Sequence, residues 1–91
     1  MKNDIDQTNA YYRVVDKLCA KKGITHRALA EEIGVNEVTL SRYLRGERST
    51  TLQSFMAMCR VLEIDPQSLY KTYLYSRLEK RVADYRKEHE A

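Results

Sequence analysis

The chain is poor in residues that interrupt helices: its 91 positions hold only three glycines and one proline. So few breakers argue against a turn-rich β fold and leave a chain of helices as the expectation. Cysteine is scarce as well. Cys19 and Cys59 lie forty residues apart, each inside an apolar helical pattern, and no CxxC or Cys/His spacing accompanies them. A zinc site is not indicated, and both are read as buried free thiols. No apolar run approaches the ~20 residues of a membrane span. Residues 1–9 are polar and acidic, unlike a secretory signal. The expectation is a soluble cytoplasmic protein with no membrane partner. Repeats and low-complexity tracts are missing too. So is a large excess of one charge: the net value is +3, with six Lys/Arg against four Asp/Glu in residues 66–91 and ten against nine in residues 1–65. Any nucleic-acid face must arise from where the charges sit, since the total is small for such a binder.

What is present is an ordinary globular balance, 43% apolar and 32% charged. A single domain is expected. A chain this short buries only about 60–65% of the surface it exposes when unfolded, so an oligomer interface can supply what a small core does not.

The punctuation divides the chain into five helices. The first is expected from about Ile5 to Lys22, with Tyr11, Val14, Val15, Leu18 and Cys19 on one face and Gly23 as its left-handed stop. Thr25 caps a short second helix, His26 to Ile33, which Gly34 ends. Asn36 caps a third, Glu37 to Arg45, closed by Gly46. Thr50 and Gln53 suggest a capping box opening the fourth, which turns Leu52, Phe55, Met56, Cys59 and Leu62 inward. Asp65 and Pro66 start a fifth that runs to about residue 88 without a breaker.

Two short helices joined by a tight turn stand at the centre of this plan. Leu29 and Ile33 on one, and Leu40 and Tyr43 on the other, point to a shared core with Val35 between them. Ala30 is small where the helices must approach, and Gly34 sits where the chain turns sharply. This is the helix-turn-helix arrangement, at residues 25–46, which offers its second helix to the major groove of B-DNA.

The run Leu29-Ala-Glu-Glu-Ile-Gly-Val-Asn-Glu-Val-Thr-Leu-Ser-Arg-Tyr-Leu-Arg-Gly-Glu-Arg48 resembles the Cro/lambda-repressor-like (XRE) helix-turn-helix family, and Leu62-Glu-Ile-Asp-Pro-Gln-Ser-Leu69 matches that family's next helix junction. The resemblance covers about residues 10 to 70. It implies an all-α, five-helix lambda-repressor-like DNA-binding domain over residues 1–69, with residues 70–91 as an extended C-terminal helix. It also implies that Arg42 lies at a base-reading position, where a guanidinium can bond guanine O6 and N7 together. An ion pair with Glu37 or Glu47, or a phosphate contact, is the alternative. Glu37, Val38 and Ser41 join Arg42 as base-reading candidates. Glu37 can accept from cytosine N4 or simply favour the helix dipole, and Val38 can touch a thymine methyl. His26, Arg27, Asn36, Thr39, Arg45, Arg48 and Ser49 form the expected phosphate frame, which fixes register without reading sequence. The chain departs from the family pattern at His26, where Gln is usual, and at Glu37 and Val38, where polar or basic residues are usual.

Past the family domain, Tyr70, Leu74, Leu78, Val82 and Tyr85 form an apolar stripe, bordered by Tyr73, Arg77 and Arg81. Such a stripe needs cover. Three covers are open: the chain's own first helix, a second copy in a homodimer, or a protein partner. The expected function is a sequence-specific regulator of transcription that acts on double-stranded DNA, a repressor binding a palindromic operator as a homodimer. The alternative is an antitoxin-type autoregulator whose C-terminal helix holds a protein. With two histidines, His26 and His89, and no metal-ligand spacing, glycine-rich phosphate loop or acid–base pair, no enzyme, cofactor or metal is expected. Single-stranded RNA reading lacks its aromatic sheet or GXXG loop.

Overall fold

In a computed structural model, which describes residues 9–89, five helices follow in order: α1 Ala10–Lys22, α2 His26–Ile33, α3 Glu37–Arg45, α4 Leu52–Leu62 and α5 Pro66–His89. The all-α expectation holds, and among the described residues there is no strand. No described helix is long and apolar enough to cross a membrane.

Local chemistry sets most of the boundaries. Thr25 and Asn36 cap α2 and α3 as expected, each side-chain oxygen accepting an amide three residues on, at 3.0 and 2.7 Å. Those amides have no partner within their own helices, so each cap contributes about 1 kcal/mol. Gly34 ends α2 at φ +82°, a left-handed conformation that costs any residue with a Cβ. Glu63 ends α4 in the same region at φ 55°, without glycine's freedom. Its carboxylate pairs with Lys22 at the end of α1, which ties the two helix ends together.

Two starts differ from the expected ones. α1 begins at Ala10, because the Asn9 side chain caps it by accepting from the amides of Tyr11 and Tyr12. The rest of the earlier expected start, Ile5 to Thr8, lies outside the described residues. α4 begins one residue late. Thr51 is its cap, accepting from the Ser54 amide at 3.1 Å, while the Thr50 hydroxyl bonds the Tyr11 hydroxyl at 3.1 Å. Leu52 is then the first helical residue and is 77% exposed, and Met56 is also exposed. The inward placement of these two is therefore corrected. Phe55, Cys59 and Leu62 do turn inward, with Ala57 and Met58 beside them.

The core is one cluster drawn from all five helices. Tyr11, Val15 and Cys19 meet Leu29, Ala30, Leu40 and Leu44, and Phe55, Met58, Cys59, Leu62 and Leu69 close it. Burying each large apolar side chain contributes roughly 1.5–3 kcal/mol. Both cysteines are buried and free. Burial pushes the Cys19 thiol up to about 11, with Asp16 adding to the effect, and raises Cys59 in the same way.

α5 lies against α1 through Leu69, Tyr73 and Ser76. Leu69 and Ser76 are buried, and the Tyr73 ring meets that of Tyr11 edge-on at 4.9 Å. The chain thus does pack its fifth helix back on its first, but with this face and not with the Tyr70–Tyr85 stripe. Leu74, Leu78, Val82 and Tyr85 lie on the other side and are 39–61% exposed, while Tyr70, 50% exposed, keeps its ring against Phe55 and Tyr73 at 6.0 and 6.1 Å.

Candidate nucleic-acid interface

The turn between α2 and α3 is built as the sequence implies. Leu29, Ala30, Leu40 and Tyr43 are buried, and Ile33 and Val35 pack partly buried beside them. The Val35 amide donates to the Ala30 carbonyl at 3.0 Å, which holds the bend. With Leu40, Tyr43 and Leu44 committed to the core, the remaining positions of α3 must face outward. A nine-residue helix is about 13 Å long, comparable with a major groove about 12 Å wide.

Glu37, Val38 and Arg42 are the exposed residues of that outer face, and Val38 is 61% exposed. Arg42 makes no ion pair or side-chain hydrogen bond with a described residue; the alternative pairing with Glu37 or Glu47 does not form. Its backbone carbonyl accepts from the Glu47 amide at 2.9 Å and from the Arg48 amide at 3.3 Å. Val38 is an apolar side chain left mostly in water, and Glu37 occupies the first turn of the helix.

Ser41 is only half-exposed. Its hydroxyl oxygen accepts from the Arg45 guanidinium one turn on, through Nε at 3.1 Å and through Nη2. Arg45 also pairs with Glu47 at 3.6 Å. These contacts hold the Arg45 side chain along the helix edge. Thr39 is half-buried, and the Asn36 side-chain oxygen is occupied by the cap.

The expected phosphate frame splits into two groups. On α2, His26 is half-buried with its Nε2 3.0 Å from Asp16 of α1 and its ring near Tyr12, while Arg27 sits in water 4.0 Å from Glu31. Beyond α3, Arg48 and Ser49 are exposed in the loop that follows Gly46. The Ser49 hydroxyl accepts from Arg77 of α5 at 3.2 Å. In the sequence Arg77 stands out only as a border of the apolar stripe, and Lys80 does not stand out at all. The signal that brings them here is the phase of the buried side of α5: Tyr73, Ser76 and Lys80 follow one another at spacings of three and four, so Arg77 and Lys80 fall beside α3.

Among the described residues, no three His, Cys, Asp or Glu side chains gather as metal ligands. Neither the curated proteins nor the solved structures yield a match to the chain. A family model described as helix-turn-helix matches residues 16–69, more than half the chain, from the middle of α1 to the first turn of α5. The matched span contains the whole α2–turn–α3 unit with its exposed outer face, and the chain therefore belongs to the helix-turn-helix family of the Cro/lambda-repressor (XRE) type, whose members are DNA-binding regulators of transcription.

Proposed function

We propose that the protein is a sequence-specific repressor that binds a palindromic operator as a homodimer, reading bases with α3. The observation that carries this reading is Arg42: a guanidinium on the outer face of the recognition helix, with no side-chain partner among the described residues, at the centre of the surface that fits a major groove. Glu37 and Val38 flank it and supply a carboxylate acceptor and a methyl-sized apolar contact. Ser41, held by Arg45, acts as a weaker reader through its hydroxyl proton. Arg27, Arg48, Ser49 and the α3 N-terminus with Asn36 and Thr39 hold the backbone, and such contacts set position while carrying no sequence information. His26 joins them by exchanging Asp16 for a phosphate. Arg45 does the same from the end of α3. Repression follows from occlusion, because a domain of this size blocks a promoter simply by occupying it.

The homodimer reading is supported by α5. That helix is apolar on two opposite sides: Leu69 and Tyr73 turn to α1, while Leu74, Leu78, Val82 and Tyr85 turn to water. A second copy that covers the outer side would supply the second recognition helix, and dimeric helix-turn-helix proteins bind half-sites one DNA turn apart, about 34 Å. Selection of binding sites from a random duplex library by the purified protein tests the whole reading. An enriched palindrome with half-site centres about ten base pairs apart is expected. Recovery of no preferred sequence would overturn it.

A further inference from the structure

We propose that Arg77 and Lys80 of α5, with Arg81 next to them, form a second phosphate-binding edge that grips the DNA backbone beside the recognition helix. The proposal rests on the DNA-reading role of α3. Two contacts bring this edge to the α3–α4 loop, through Ser49 and Gly46, and two more hold Arg77 against Tyr73 of its own helix. The Arg77 guanidinium donates through Nη1 to Ser49 at 3.2 Å and to the Tyr73 hydroxyl at 3.2 Å, and its carbon lies 5.7 Å above the Tyr73 ring. A Cβ placed on Gly46, the residue that ends α3, would come within 3.7 Å of Lys80 Cδ. The Lys80 stem therefore runs along the loop that presents Arg48. A cavity of about 110 Å³ opens where these elements meet, and Gly46, Arg77, Lys80 and Arg81 line it.

The charges in this place are not balanced. On a single helix Arg77 neighbours Lys80 and Arg81 at spacings of three and four, where like charges repel by a few tenths of a kcal/mol per pair. Among the described residues none of the three has a carboxylate within 4.0 Å, whereas Arg45, Arg27 and Lys22 each have one. Glu79 faces the α1 N-terminus, 3.5 Å from the Ala10 amide. Asp84 lines the cavity and opposes an anion there. Arg77 is held in place by neutral partners that leave its charge uncompensated, which suits a phosphate oxygen. Its continuity with Arg48 and Ser49 makes that phosphate one of the duplex backbone.

The full-length protein is titrated with its selected duplex and with a scrambled duplex over a range of salt. Lys80→Gln breaks no hydrogen bond or ion pair among the described residues, so it reports on DNA alone. Each of Arg77→Gln and Lys80→Gln is expected to lower the slope of log K against log salt by about 0.9. Each weakens both duplexes by the same factor, and Asp84→Asn tightens both. A double variant, Arg77→Gln with Lys80→Gln, whose slope equals that of the unaltered protein would overturn the proposal. If Arg42→Ala still removed sequence preference in that case, the reading of α3 would stand alone. If the unaltered protein bound neither duplex, both would fall.

Discussion

The buried Ser76 hydroxyl oxygen accepts the backbone amide of Tyr11 at 2.6 Å, which ties the long C-terminal helix to the first turn of α1. The same amide also donates to the Asn9 side chain at 2.8 Å. Asn9 in turn donates through Nδ2 to the Leu44 carbonyl at 3.2 Å, so α1, the end of α3 and the middle of α5 meet at one point. The position of α5 beside the recognition helix is thus set by hydrogen bonds as well as by the packing of Leu69 and Tyr73.

Ser76→Ala is expected to lower stability by about 1 kcal/mol, since Asn9 still accepts the Tyr11 amide and no polar group is orphaned. That corresponds to a loss of roughly 4–8 °C in Tm for a domain of this size. A thermal melt followed by circular dichroism measures it; an unchanged Tm would mean that the hydroxyl has no structural role.

Leu78→Lys is expected to convert a dimer into a monomer while leaving Tm of the monomeric fold nearly unchanged, because Leu78 is 57% exposed in the chain itself. Sedimentation at micromolar concentration distinguishes the states. A mass still dimeric after the substitution would contradict the assignment of the α5 stripe to the dimer.

Alkaline pH should weaken the fold before it weakens the DNA contacts. The Cys19 thiol has an ordinary value of 9.0 and is pushed up to about 11 in the folded chain by burial. The unfolded state therefore ionises first. The stability this group contributes is complete below about pH 9 and is lost progressively towards pH 11. Cys59 and Tyr11, raised by burial as well, shift stability in the same direction. Tm measured from pH 7 to 11 should fall above pH 9, and Cys19→Ser or Cys19→Ala should flatten part of that fall. A constant Tm across the range would contradict the burial of these groups.

Much of this was legible in the sequence because it depends on neighbours in the chain. The caps at Thr25 and Asn36, the stops at Gly23, Gly34 and Gly46, and the burial of Leu29, Leu40 and Tyr43 all follow from spacings of a few residues. The missed features depend on partners far along the chain. Thr50 lost its capping role to Thr51 because its hydroxyl meets Tyr11, 39 residues away. Leu52 and Met56 are exposed because the core takes the side of α4 that carries Phe55, Met58, Cys59 and Leu62. The approach of Arg77 to Ser49 across 28 residues, and the pairing of His26 with Asp16, were likewise invisible to periodicity. In α5 the exposed stripe was the more conspicuous pattern, yet the face that packs on α1 is the one built around Leu69, Tyr73 and Ser76.

The central claim is that the outer face of α3 reads bases through Arg42. The direct measurement is the affinity of the unaltered protein and of Arg42→Ala for the selected duplex and for a scrambled one, at a single near-physiological salt concentration. Loss of a bidentate contact to guanine, about 1–3 kcal/mol, predicts that the ratio of the two affinities falls roughly 5- to 150-fold. Binding to the scrambled duplex should change much less. An unchanged ratio, with both affinities reduced alike, would show Arg42 to be a phosphate contact and would contradict the account.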